Sequence, residues 1–285
     1  MHVRNPVEWG VDQIRVASSA IGARSHARPT TQPAIRRIGF DDLWVALRRG
    51  MEDFAASRSD VVLLCVIYPV AGLVMARLAF GYGLLPLVFP LASGFALIAP
   101  VAAVGLYEMS RRRETGRSNG WADALAVTGS PGFGSIMLFG LLLMAIFLAW
   151  LGVALMIYDR TLGPDAPVSL AAFAHDLFAT QAGWTLIAVG MGVGFVFALG
   201  VFAISVVSVP LLLERDTGLG MAIGTSLRAI TANPGPLALW GGVIAASLLL
   251  GSVPFLLGLI VVMPVLGHAT WHLYRRLVVP EGTPS

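Results

Sequence analysis

The sequence contains no lysine: all 19 basic residues among its 285 are arginine. Every mechanism that needs a lysine amine is excluded, including the P-loop phosphate lysine, the kinase strand lysine and Schiff bases with pyridoxal phosphate or retinal. Cysteine is nearly absent as well. Cys65 alone cannot form an intramolecular disulfide, a CxxC redox pair, a thiolate zinc site or a four-cysteine iron–sulfur cluster. Inside its apolar run it reads as a small buried hydrophobe. Charge is scarce: 12% of residues are charged and 56% hydrophobic, where a soluble domain carries ~25% charged residues. Mean hydropathy is +0.79. These deficits exclude a water-soluble globule and describe a polytopic membrane protein. The net charge of +3 is small, and the arginines border apolar runs rather than interleaving with aromatics, so nucleic acid is not an expected partner.

Residues 1–60 are the sizeable polar stretch. No apolar run follows the opening MHVRN, so no secretory signal is expected. Val7, Val11, Ile14, Ala17 and Ile21 recur at helical spacing, and the segment from Arg24 to Pro33 reads as a linker. The segment FDDLWVALRRGMEDF carries more information. Phe40, Leu43, Trp44, Leu47, Met51 and Phe54 fall on one helical stripe, while Asp41, Asp42, Arg48, Arg49, Glu52 and Asp53 cover the rest. An amphipathic helix over 40–58 is expected, capped by Asp41. Gly50 weakens it but permits close approach to a neighbour. Such a helix lies on the membrane surface, docks a partner, or packs under the bundle.

Six spans follow, at 61–80, 84–109, 135–158, 184–213, 237–253 and 254–274, with a short cytoplasmic tail over 275–285. The stretch from Leu237 to Tyr274 as one helix would run about 57 Å, far beyond a ~30 Å hydrocarbon core. Gly251, Ser252 and Pro254 divide it. With six spans and both termini cytoplasmic, 17 of the 19 arginines fall on the inner side, as the positive-inside rule requires. The exceptions are Arg77 and Arg160. A short interfacial helix is expected in the outer loop, where Leu170, Phe173, Ala174, Leu177 and Phe178 follow Ser169 as cap.

Two inner loops echo one another. YEMSRRRETG leads through WADALAV to SPG, and PLLLERDTG leads through GTSLRAI to NPG. A parallel duplication and a coincidence between similar interfacial loops both fit. Gly190, Gly194 and Ala198 make a small-residue stripe suited to helix packing, not a nucleotide loop. Glu108 and Glu214 end two spans beside arginines and read as interfacial ion pairs. His268 and His272 are the metal candidates: spacing of i, i+4 puts both rings on one helix face, as in a two-histidine metal clip. No third ligand is fixed nearby, and hydrogen-bonded packing at the interface is the competing reading.

The segments DVVLLCVIYPVAG, FPLASGFALIAPVAAVGLYEMSRRRETG, SVPLLLERDTG, NPGPLALWG and PVLGHATWHLYRRL together resemble a family of bacterial six-span integral membrane proteins of unknown function. Some members carry a cytochrome c oxidase subunit I label. That chemistry does not suit this chain: a haem–copper subunit draws ligands from histidines on several helices, whereas His2, His26 and His175 lie outside the spans. The resemblance implies an all-α transmembrane bundle in a bacterial inner membrane and brings no activity with it.

The expectation is a non-enzymatic accessory or scaffold protein, without cofactor. Its cytoplasmic face would engage membrane lipids, another membrane protein or a second copy. The interface candidates are Trp44, Leu47, Met51, Phe54, Arg111, Arg112, Arg113 and Arg215. A small transporter or channel, suggested by the echo and the glycine-rich span, is the alternative. A metal- or haem-binding membrane protein using His268 and His272 is the second.

Overall fold

The computed structural model describes residues 32–56, 85–117, 126–130, 132–165, 167–254 and 256–280, together with Val70, Val74 and Arg77. The expected N-terminal helical segment, the turn at 81–83, Cys65 and nearly all of the first span, 61–80, lie outside them. Ten α-helices are described: α1 (Phe40–Ala56), α2 (Val88–Ala102), α3 (Val104–Glu114), α4 (Phe133–Thr161), α5 (Leu170–Ala179), α6 (Gln181–Ser205), α7 (Ser208–Glu214), α8 (Leu219–Ala232), α9 (Pro234–Ser252) and α10 (Leu259–Leu277). The described residues contain no strand; one isolated antiparallel bridge joins Ile35 to Val278.

Four stretches are long and apolar enough to cross a bilayer: Leu85–Glu114, Phe133–Thr161, Gln181–Glu214 and Pro234–Ser252. They correspond to the expected second to fifth spans. The expected sixth span differs. Its residues form α10, which is not among the four, because its second half carries His268, His272, Arg275 and Arg276. Those residues are enclosed by protein instead: from Leu266 to Tyr274 every residue of α10 is buried. The six-span count therefore rests on four crossing helices among the described residues.

Two of the four spans are interrupted, each for a local reason. Pro100 has no N–H for the preceding turn, and the chain passes through a turn at Ala103 between α2 and α3. Between α6 and α7 the break is filled from another helix. Ser226 of α8 takes the Val207 N–H on its Oγ at 3.3 Å and donates to the Ala203 carbonyl at 2.7 Å. These are the two groups an unbroken helix would pair directly, so the hydroxyl stands in for one rung of the ladder.

The apolar part is fastened around Trp150 of α4. It is 1% exposed, donates its indole N–H to the Pro90 carbonyl at 3.2 Å, and meets Phe197 at 5.5 Å between ring centroids. Gly194 makes room for it, since a Cβ there would lie 3.1 Å from the ring. The small-residue stripe is thus used at Gly194, while a Cβ at Gly190 would meet nothing within 4 Å. The outer-loop helix α5 forms as expected, with Ser169 Oγ accepting the Ala172 N–H at 3.1 Å.

At the arginine-rich end the two terminal segments pair. Arg36 donates its N–H to the Leu277 carbonyl at 2.8 Å, and Val279 donates to Ala34 at 3.0 Å. Asn233 secures the same segment with its amide, accepting from Ile38 N–H at 2.8 Å and donating to the Arg36 carbonyl at 3.1 Å. The first turn of α1 is closed by Asp42 rather than the expected Asp41. Its carboxylate accepts the Gly39 N–H at 2.9 Å, the reach-back of a capping box. From there α1 lies on α10. Gly50 meets Ala269 so closely that a Cβ would fall 2.6 Å from its nitrogen. Overpacking of this kind costs about 2 kcal/mol. We expect Gly50→Ala to lower the thermal midpoint in detergent by that equivalent, and Gly39→Ala, where a Cβ meets nothing within 4 Å, to leave it in place. An unchanged midpoint for Gly50→Ala would mean that α1 is not seated on α10.

Candidate functional site

Three helices meet where α1, α3 and α10 leave the apolar region. On α1 the residues Leu43, Ala46, Gly50 and Asp53 form the buried face. The spacing of Ala46, Gly50 and Asp53 carries two small residues past α10 and then delivers a carboxylate one turn further on. Asp53 is 6% exposed, and a buried carboxylate must be paired to remain ionised. Its Oδ2 accepts from Ser110 Oγ at 2.5 Å and from His272 Nε2 at 2.8 Å. Its Oδ1 accepts from Arg113 Nη1 at 2.9 Å. Arg113 also donates to the Glu52 carbonyl at 2.7 Å, so it grips α1 by side chain and backbone together.

These contacts decide the proton positions. An ionised Asp53 only accepts, so His272 carries its proton on Nε2 and Ser110 spends its own on Asp53. His268 Nδ1, 2.8 Å from Ser110 Oγ, is then the donor to that oxygen. His272 Nδ1 is left as a buried nitrogen without a hydrogen bond, 3.6 Å from Glu114 Oε1. Beyond it, Arg275 joins Glu114 at 3.1 Å to Glu214 at 2.7 Å, and Tyr274 donates its hydroxyl to Glu214. Arg276 reaches Asp42 of α1 at 2.8 Å.

Burial alone would raise the Asp53 carboxyl; the hydrogen bonds from His272 and Ser110, with the two imidazoles beside it, outweigh that and hold it below its ordinary 3.8. Magnitudes separate this carboxylate from its neighbours on α1. Arg48 and Glu52 pair at 3.1 Å with side chains 72% and 54% exposed, an i, i+4 surface contact of about 0.3–0.5 kcal/mol. Breaking a buried pair by removing one partner costs about 3–5 kcal/mol.

The arrangement does not suit nucleophilic catalysis. A serine nucleophile needs a histidine base that is oriented in turn by a carboxylate. Here Ser110 lies between His268 and Asp53, and its proton is committed to the carboxylate. Nor do the described residues gather three or more His, Cys, Asp or Glu side chains around a metal position. His268 and His272, the two metal candidates, are both drawn into the junction, with Ser110 and Asp53 as their respective partners.

The interface candidates separate. Leu47 and Phe54 pack against the core, whereas Trp44 is 64% and Met51 41% exposed. Phe40, on the same stripe, is 60% exposed. Arg111 and Arg112 converge on buried Glu108 at 2.7 and 2.9 Å. Arg113 holds Asp53, and Arg215 donates to the Val279 carbonyl at 2.7 Å. All four arginines bind within the chain. Sequence reasoning placed Asp53 on the solvent face and passed over Ser110 and Glu114. The position of Asp53, three residues after Gly50, was the signal available.

Residues 88–214 match the model of a family described as Predicted integral membrane protein (DUF2189). No curated protein and no solved structure matches the chain. With the four apolar helices, the family match makes this an integral membrane protein. The matched segment includes Glu108, Ser110, Arg113, Glu114 and Glu214, and excludes α1 and α10.

The depressed Asp53 carboxyl sets a pH dependence of defined sign. Its contribution to stability is complete above the unfolded value near 3.8 and is lost as pH falls through the lower folded value. We expect Asp53→Asn to be destabilised at neutral pH by about 3 kcal/mol and to lose this part of the acid slope in thermal unfolding at stepped pH. Parallel curves for both proteins would show that Asp53 is not the group responsible.

Proposed function

We propose that this integral membrane protein is a non-catalytic accessory or scaffold of the bacterial inner membrane, with its arginine-rich end in the cytoplasm. It holds α1 rigidly against the bundle and lays the free stripe of that helix in the lipid interface. The observation that carries this reading is the division of the apolar arc of α1. Leu43, Leu47 and Phe54 turn inward, while Phe40, Trp44 and Met51 project outward beside the charged arc of Arg48, Arg49 and Glu52. Phe40 sits against Gly235, in the first turn of the crossing helix Pro234–Ser252. That places the stripe at the level where a span enters the bilayer. An aromatic stripe with flanking arginines suits that layer, as in in-plane amphipathic helices.

The transporter alternative draws less support. A crevice of about 320 Å³ beside α4 and α6 is lined by Ile146, Val196, Phe197, Gly200, Val201 and Ile204, with no polar side chain to solvate a solute. The metal- or haem-binding alternative has two histidines whose hydrogen-bonding nitrogens are already used within the chain.

A nitroxide attached at position 44, through Trp44→Cys in a Cys65→Ser background, tests the lipid contact in reconstituted protein. We expect oxygen to relax it strongly and a water-soluble nickel chelate weakly, with the reverse for a label introduced through Arg49→Cys. Equal nickel accessibility at the two positions would place the stripe in water. Shielding of the label at position 44 from both reagents would place it under protein. Either result overturns the reading.

A further inference from the structure

The junction leaves donors and acceptors unmatched around one opening. A cleft of about 240 Å³ is lined by Arg49, Glu52, Asp53, Arg113, Glu114 and His272. Asp53 is saturated by three donors. The others are not. His272 is 6% exposed, and its Nδ1 has no hydrogen bond. With the proton on Nε2, that nitrogen is an acceptor, and it faces another acceptor, Glu114 Oε1, across 3.6 Å. Two acceptors face one another with no donor between them, an arrangement that calls for a positively charged N–H group. On the other wall Arg49 is exposed and has no hydrogen bond or ion pair among the described residues. Arg113 uses only Nη1 on α1. Two guanidiniums directed at a cleft call for an oxyanion.

We propose that this cleft binds a zwitterion carrying a phosphate and a primary ammonium, and that its source is the headgroup of phosphatidylethanolamine. The phosphate is taken by Arg49 and Arg113. The ammonium is taken by Glu114 and Glu52, whose carboxylates lie on the same opening, with His272 Nδ1 behind Glu114. The lipid source follows from position, since Arg113 and Glu114 close the end of a crossing helix, Leu85–Glu114. The inference rests on the proposed membrane role only in placing α1 beside the bilayer; it concerns a different face of that helix.

The chemistry discriminates among lipids. Phosphatidylcholine has the same phosphate but a quaternary ammonium without N–H, and phosphatidylglycerol has no ammonium at all. The full chain is reconstituted in vesicles of equal parts of the three lipids, gently extracted, and its retained lipid measured by native mass spectrometry. We expect phosphatidylethanolamine to be enriched about tenfold over phosphatidylcholine, the ratio corresponding to one charge-assisted hydrogen bond. Arg49→Ala and Glu114→Gln should each return the ratio towards that of the vesicles; the first alters an exposed side chain and the second preserves side-chain volume. Trp44→Ser should leave the ratio unchanged, which separates this site from the outward stripe. Free phosphoethanolamine added to the extracted protein distinguishes the sources. If it displaces the lipid only at large excess, the acyl-bearing headgroup is the ligand; if it binds equally well without lipid, the lipid assignment is overturned. Retention of the three lipids in the vesicle ratio, or enrichment that survives both cleft variants, overturns the site.

Discussion

A carboxylate buried between three helices constrains everything around it. Asp53 reaches its position because Gly50 lets α1 settle on Ala269, and once there it cannot lack partners. α3 supplies Ser110 and Arg113, and α10 supplies His272. Each donor then makes a demand of its own. Ser110, having given its proton away, needs His268 as a donor. His272, committed through Nε2, turns its other nitrogen towards Glu114. Glu114 in turn holds Arg275, which reaches Glu214. One buried charge thus propagates into a polar layer joining α1, α3, α7 and α10.

That layer and the apolar region below it obey different rules. In the spans, backbone groups are satisfied within each helix because no water is present to serve them. Where a span breaks, the deficit is met locally, as Ser226 does between Ala203 and Val207. In the polar layer the arginines do comparable work for exposed backbone. Arg113 serves Glu52, Arg228 serves Pro33 at 3.0 Å, and Arg215 serves Val279. The positive charge that reads in sequence as membrane orientation is also the material that ties the terminal segments to the bundle.

The spans at 84–109, 135–158, 184–213 and 237–253 were legible because hydropathy is one-dimensional: about twenty apolar residues in a row need no knowledge of neighbours. Ser169 was legible as a cap for the same reason, and Gly50 as a close approach. Asp53 was not. An acidic residue beside Glu52, next to an apolar stripe, looks solvated until α10 is placed over it. The stripe itself was read as one surface, although its arc is wide enough for Leu43 and Leu47 to face the bundle while Trp44 faces out. The helix at Leu259–Leu277 misled in the opposite sense. Its first half is as apolar as a span, and only tertiary burial explains how two histidines and two arginines follow directly. The family match stops at residue 214, so it supplies one wall of the junction and not the helices that complete it.

The path of Arg275 bears on how the molecule works. It bridges Glu114, at the end of Leu85–Glu114, to Glu214, at the end of Gln181–Glu214. Alternating access requires one group of spans to rock against another around a central site. A guanidinium held between carboxylates on two spans opposes that motion at the end where opening would begin. The side chain is 32% exposed and Glu214 24%, so the tie is screened only in part, and Tyr274 reinforces it from the same helix. A bundle closed in this way, with α1 fastened across it through Asp53 and Arg276, is built to keep its shape. The surface left for recognition is then the outward side of α1 and the cleft beside it, where the polar layer leaves its own groups unmatched.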